Sequence, residues 1–316
     1  MSKMLTEILN IKHPIIMAPM FLVTNTAMMI AAMKSGVAAA IPALNFRTDA
    51  EFRAALKEMR EGAEGSIGVN LIVNKSNVRM KEQLNTCVDM KVDFIITSLG
   101  SPEEVIKKCK PVDIKVFCDV VEENYAKKVE ELGADAIIAV NSNAGGHAGP
   151  YTPDKLVPLL KESCNLPIIS AGGIGTKEGF DKILEMGAAG LSIGSPFIAC
   201  HESDISDDYK NACVEYGKDD IVLTTKISGT PCTVINTPYV QKVGTEQNWL
   251  EKMLSKNKKL KKWVKMITFL KGMKSIEKAA FSSTYKTLWC AGESIEHTTS
   301  IQSVSEIVQR LVGNKE

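Results

Sequence analysis

One histidine in this chain stands inside a run of small residues: Asn141-Ser142-Asn143-Ala144-Gly145-Gly146-His147-Ala148-Gly149-Pro150. Imidazole titrates near neutral pH and is the side chain most often used as a general base. The competing reading of His147 is an exposed loop histidine. Two glycine turns follow, Ala171-Gly172-Gly173-Ile174-Gly175 and Gly194-Ser195-Pro196. Glycines let backbone N–H groups approach an anion closely, so these turns are candidate phosphate cradles. Their competing reading is a pair of ordinary tight connections. Upstream, Asn70 offers both a donor and an acceptor to a heterocycle edge, or else sits in a turn. Asp119 is either a ligand-facing carboxylate or a helix N-cap, and the N-cap is the commoner use.

These residues gain meaning from the elements that carry them. Eight short apolar runs, at 14–18, 37–41, 67–73, 94–97, 116–120, 136–140, 167–171 and 191–194, alternate with helical patterns. Unbroken runs of this kind are the mark of parallel strands buried on both faces. Thr48-x-x-Glu51 and Ser101-Pro102-Glu103-Glu104 read as capping boxes, the second with proline at the first helical position, and Thr152-Pro153 as a third helix start. Gly133 and Gly187 fall where helices should end. Eight strand–helix units imply a closed (β/α)8 barrel of the TIM type. An open doubly wound sheet would want a glycine-rich loop after its first strand, and Met17-Ala18-Pro19-Met20 has none.

In a barrel the active site is built at the carboxyl ends of the strands, and the loops after the seventh and eighth commonly bind phosphate. The two glycine turns occupy those places. His147 follows the sixth strand, Asn70 the third, and Ala18-Pro19-Met20 the first. Of the other histidines, His13 precedes the first strand, His201 lies beyond the phosphate turns and His297 near the C-terminal helix. The expected division is a barrel over 1–215, a mostly helical substrate or lid insertion over 216–290, and a return to the barrel over 291–316, closed by an amphipathic helix near 303–312.

Lys and Arg number 38 against 37 Asp and Glu, a net charge of +1, which argues against a chain built to bind nucleic acid or anionic membrane. Eight scattered cysteines without a C-x-x-C pair fit a reducing cytoplasm better than a disulfide framework or zinc module. No apolar stretch approaches the roughly 18 residues of a membrane span. Metalloprotease, serine-hydrolase-elbow and Walker signatures are absent, and no metal is expected.

Taken together, the stretches His13-Pro14-Ile15-Ile16-Met17-Ala18-Pro19-Met20, Gly68-Val69-Asn70, Ala144-Gly145-Gly146-His147-Ala148-Gly149, 167–173, 187–197 and Trp289-Cys290-Ala291-Gly292-Glu293 resemble the nitronate monooxygenase family. That family, formerly called 2-nitropropane dioxygenases, includes the flavin-type enoyl-acyl-carrier-protein reductases. The resemblance implies an oxidoreductase with tightly held FMN. It implies that Ala18, Pro19, Met20 and Asn70 touch the flavin, that Gly172, Gly173, Gly194 and Ser195 hold its phosphate, and that Ala144, Gly145, Ala291, Gly292 and Glu293 belong to the same site. His147 matches the catalytic histidine, which handles the acidic α-proton of the substrate before O2 reoxidises the flavin.

Several positions depart from the family pattern. Asn143 stands where Glu is common, Ser195-Pro196 replaces Thr-Arg, and Glu293 replaces Gln. Asp119 takes a place often basic or hydroxylic, where a carboxylate would repel a flavin phosphate. Three functions follow as alternatives: FMN-dependent oxidation of alkyl nitronates, NAD(P)H-dependent reduction of an enoyl thioester on an acyl carrier protein, and non-redox binding of a phosphorylated metabolite. The lysine-rich stretch 256–265 motivates the second, because carrier proteins are acidic; its competing reading is a solvated helix face. Met20, Phe21, Ile235 and the segment 233–239 are expected to line an apolar cavity. A homodimer is left open.

Overall fold

The computed structural model describes residues 3–226, 231–246 and 288–313. Eight parallel strands close into a barrel in sequence order: β1 Ile15–Met17, β2 Ala38–Pro42, β3 Ile67–Ile72, β4 Phe94–Ser98, β5 Lys115–Val120, β6 Ala136–Val140, β7 Ile168–Ala171 and β8 Gly190–Ile193, which returns to β1. Closure removes every sheet edge. The expected TIM-type barrel is therefore present, each strand within a residue or so of its apolar run.

Two apolar layers hold it. Inside, Ile16, Ala38, Ala40, Phe94, Ile96, Phe117, Ile138 and Ile169 fill the barrel. Phe94 and Phe117 stack at 5.3 Å between ring centroids. Gly68 makes room for them: a Cβ there would lie 2.2 Å from Phe94 Cζ. Leu5 and Leu9 of a short N-terminal helix join this layer, and Leu5 N–H bonds the carbonyl of Ala189 just before β8, which places that helix at the bottom of the barrel. Outside, the apolar faces of the surrounding helices pack on the other face of the strands. At about 25 cal/mol per Å² of apolar area, this two-sided burial is the dominant stabilising contribution.

The helix starts show which sequence signals operate. Thr48 and Glu51 form the expected capping box on the helix Asp49–Gly62, and Pro153 opens its helix at the first position. The second expected box does not form. Pro102 is itself the cap of the helix Glu103–Cys109, and Ser101 Oγ only accepts from Glu103 N–H at 3.5 Å. With the cap at Pro102, the N3 position falls on Val105, which has no carboxylate to reach back. Gly133 ends its helix in the left-handed conformation, as expected.

After the barrel, β9 Ile221–Thr224 and β10 Cys232–Ile235 pair antiparallel, followed by the short helix Pro238–Val243. The sequence reading had no strands here. The lysine-rich stretch 256–265 lies outside the described residues. The closing helix Val304–Val312 carries its own capping box from Ser303 and Glu306 and packs on the first and last barrel helices. Among the described residues no helix is long and apolar enough to cross a membrane.

Candidate active site

The carboxyl ends of the strands surround one cavity of about 700 Å³. It is lined by most of the residues singled out above: Ala18, Pro19, Met20, Asn70, Asp119, Ala144, Gly145, His147, Gly172, Gly173, Gly194 and Ser195. Met20 and Phe21 line it as expected.

On one side stand the glycine turns that follow β7 and β8. Gly172 and Gly173 have φ of +116° and +80°. A Cβ on Gly172 would come within 2.5 Å of Ala144 N and Asn141 Oδ1. The chain can pass between these groups only without a side chain. The N–H groups of Gly172, Gly173, Gly194 and Ser195 donate to no other backbone carbonyl among the described residues. These residues line the cavity, so an anion placed in the turns would meet their N–H groups. Ser195 Oγ accepts from Gly292 N–H at 2.8 Å, which fastens the C-terminal return to this turn. His297 packs against Gly175 of the same loop.

The polar edge lies on the opposite side of the barrel. Asn70 on β3 donates to Ser98 Oγ on β4 at 2.7 Å, and Ser98 Oγ donates to Asp119 Oδ2 on β5. Three adjacent strands thus present one connected chain of hydrogen-bonding groups. Burial raises the Asp119 carboxyl from its ordinary value to about 6, against the opposing effect of the Ser98 bond. Asp119 is not a helix cap; Glu122 caps the next helix. In the eight-strand ring β3 and β4 lie across from β7 and β8, while β5, which carries Asp119, is two strands from β7.

His147 sits between these two sides, on the loop after β6. Burial lowers its pKa below the usual imidazole value, so the ring is neutral at pH 7 and able to accept a proton. Its loop is held in place. Asn141 Oδ1 accepts from Asn143 N–H at 2.9 Å, and Asn141 Nδ2 donates to the Gly172 carbonyl at 3.1 Å. Thr233 of β10 bridges to the other end, receiving Gly146 N–H at 2.8 Å and donating to the Ala144 carbonyl at 2.9 Å.

In the segment of Ala291, Gly292 and Glu293, Cys290 and Ser294 line the cavity, Ala291 is buried, and Gly292 N–H is bonded to Ser195 Oγ. Ile235 is core beneath Trp289, and from β10 the cavity receives Cys232 instead. Residues not anticipated include Ser98, Tyr125, Lys128, Tyr209 and Cys290. Ser98 had a legible signal, since it directly follows the fourth apolar run.

The comparisons agree with this geometry. The family model described as nitronate monooxygenase matches residues 2–314. The chain belongs to the nitronate monooxygenase family. This is a family of flavin-dependent oxidoreductases, and the chain is an oxidoreductase of that kind. A curated relative from Rhodococcus jostii, (3aS,4S,5R,7aS)-5-hydroxy-7a-methyl-1-oxo-octahydro-1H-indene-4-carboxyl-CoA dehydrogenase, is 28% identical over 75% of this chain. The match spans 66% of that relative's own length. A probable nitronate monooxygenase from Staphylococcus saprophyticus is 26% identical over 77% of this chain and 81% of its own. The solved structure of FabK from Thermotoga maritima is similar with a TM-score of 0.85 and 26% identity, over 99% of this chain and 96% of that one.

Proposed function

We propose that this member of the family is an FMN-dependent enzyme that oxidises alkyl nitronates with O2, with His147 as its catalytic base. The carrying observation is that His147, neutral at pH 7, lines the same cavity as two glycine turns whose N–H groups lack backbone partners. The residues fit the cofactor. The turns after β7 and β8 would take its phosphate, Ala18, Pro19 and Met20 would pack on its ring, and Asn70 with its Ser98 and Asp119 chain would meet a polar edge.

When bound, FMN supplies the two-electron chemistry that links substrate oxidation to O2. The protein does the rest. Where the substrate arrives as the parent nitroalkane, His147 takes its α-proton and holds it at an imidazole nitrogen, which leaves the nitronate to be oxidised. Pro19, Met20, Phe21 and Ile198 exclude water and accept an alkyl chain. Asn141 and Thr233 fix the loop so that the imidazole does not have to be ordered at each turnover.

A general base of this kind contributes on the order of 10²–10⁴ in rate. His147→Ala should lose kcat/KM with the parent nitroalkane by about that range while keeping its flavin. A variant that keeps flavin and full activity would remove His147 from the mechanism.

A second reading keeps the flavin and changes the substrate: NAD(P)H-dependent reduction of an enoyl thioester. One observation favours it: the Rhodococcus jostii relative is a carboxyl-CoA dehydrogenase. NADH oxidation that depends on an enoyl thioester, without nitronate turnover, decides for this reading. Binding of an acyl carrier protein through 256–265 belongs to it as well. Membership in an oxidoreductase family leaves the non-redox reading without support.

A further inference from the structure

Two sulfurs face each other in the cavity wall. Cys232 opens β10 and Cys290 lies in the returning segment, 58 residues on, with their Sγ atoms 3.7 Å apart. Both line the cavity, and no other cysteine does. The other six are buried. Cys290 is half-buried and Cys232 fully so, which makes Cys290 the sulfur that an entering molecule meets first. The contact with Cys290 and burial together hold the Cys232 thiol well above its ordinary pKa. Cys232 therefore stays protonated until an electrophilic sulfur forms beside it.

The backbone around each sulfur is tied to the catalytic loop or its support. Thr233, next to Cys232, grips Gly146, the neighbour of His147. The Cys290 carbonyl accepts from Tyr209 Oη at 2.5 Å, and Tyr209 stacks on Trp289 at 5.4 Å. Two residues further, Gly292 bonds Ser195 in the eighth-strand turn. Movement of either sulfur is thus passed to the residues that frame the site.

We propose that Cys232 and Cys290 are a redox-active dithiol, a modification site in the cavity wall that hydroperoxides convert to an intramolecular disulfide. The Cys290 sulfur, having released its proton to solvent, attacks a peroxide oxygen. The O–O bond breaks, hydroxide leaves and Cys290 becomes a sulfenic acid. The Cys232 sulfur then attacks that sulfur, the S–S bond forms, the S–O bond breaks, and water departs with the Cys232 proton. Two thiols lose two electrons, and one hydrogen peroxide becomes two waters. Bond formation brings the sulfurs from 3.7 Å to about 2.05 Å. That displacement pulls on Thr233 and on the segment leading to Gly292, so the disulfide form is expected to turn over more slowly. The inference stands whichever substrate the flavin site takes.

The test treats the full-length holoprotein with one equivalent of hydrogen peroxide, alkylates the remaining thiols under denaturing conditions and maps the peptides by mass. The expected result is a Cys232–Cys290 cross-linked peptide, two alkylatable thiols fewer, and full reversal by dithiothreitol. In Cys232→Ser the intermediate should instead persist and be trapped at Cys290 by a cyclic 1,3-dione. Phenylarsine oxide, a trivalent arsenical that bridges paired thiols, should bind the reduced holoprotein one to one and should not bind Cys290→Ser. Eight free thiols after peroxide, a cross-link between other cysteines, or no arsenical binding to the reduced protein would each overturn the proposal.

Discussion

Thr233 and Gly146 are joined twice: Gly146 N–H reaches Thr233 Oγ1 at 2.8 Å, and Thr233 N–H reaches the Gly146 carbonyl at 2.8 Å. The hairpin that follows the barrel thereby grips the peptide unit immediately before His147. Thr233→Val keeps the shape and removes the hydroxyl, leaving the half-buried Gly146 N–H and the buried Ala144 carbonyl without that partner. A lost hydrogen bond of this kind costs about 1–3 kcal/mol. The expected outcome is a lower melting temperature and a lower kcat, with both largely restored in Thr233→Ser.

The glycine turn after β7 should be intolerant of any side chain. Gly172→Ala forces φ of +116° on an L-residue and places its Cβ 2.5 Å from Ala144 N. Backbone strain alone costs about 1–3 kcal/mol. Gly146 also has positive φ, +82°, but a Cβ there meets nothing within 4 Å. Thermal melts should therefore show a larger loss for Gly172→Ala than for Gly146→Ala. Flavin should be lost during gel filtration from the first variant only.

Asp119 should set part of the pH dependence of stability. Its carboxyl is raised to about 6 in the fold. The folded protein then binds this proton more tightly than the unfolded chain does. The stabilising contribution is complete below the ordinary carboxylate value of about 4 and is lost as pH rises through about 6. Asp119→Asn removes the cost of burying the charge and should stabilise the protein at pH 7 by ~1–3 kcal/mol. Melts of the two proteins should converge as pH falls from 7 to 4. An unchanged difference across that range would show that the carboxyl is not the origin.

Turnover should depend on pH through His147. Burial lowers its pKa below 6.5, so the imidazole is neutral and competent as a base at pH 7. Activity with a nitroalkane should fall at acid pH, below the ordinary imidazole value, and reach its plateau by pH 7. Asp119 titrates nearby in the same range, and Asp119→Asn separates the two. The acid limb should survive in that variant if His147 is its source.

Much of this was legible in the chain itself. The eight strands could be read because parallel strands buried on both faces leave unbroken apolar runs. His147 and the glycine turns followed from their places after the sixth, seventh and eighth runs. The hairpin of β9 and β10 was missed because each strand has only four residues and β9 is partly exposed, with Leu223 facing solvent. Such strands leave no strong periodicity. The Cys232–Cys290 pairing has no local signal, since closed topology brings together residues 58 positions apart. Gly292 falls in the neighbourhood of the site, where its N–H is bonded to Ser195 Oγ, a contact across 97 residues that spacing does not encode. The box in Ser101-Pro102-Glu103-Glu104 does not form because the helix starts one residue later than the letter pattern implies, with Pro102 at the cap and Val105 at N3.

The most direct test of the central claim is the visible absorption spectrum of the purified protein, followed by anaerobic addition of a nitronate. Flavin bands that bleach on addition and return with O2 are the expected result; with the parent nitroalkane in place of the nitronate, bleaching should be lost in His147→Ala. Absence of flavin bands, even after incubation with FMN, would contradict the assignment of the glycine turns and with it the proposed chemistry.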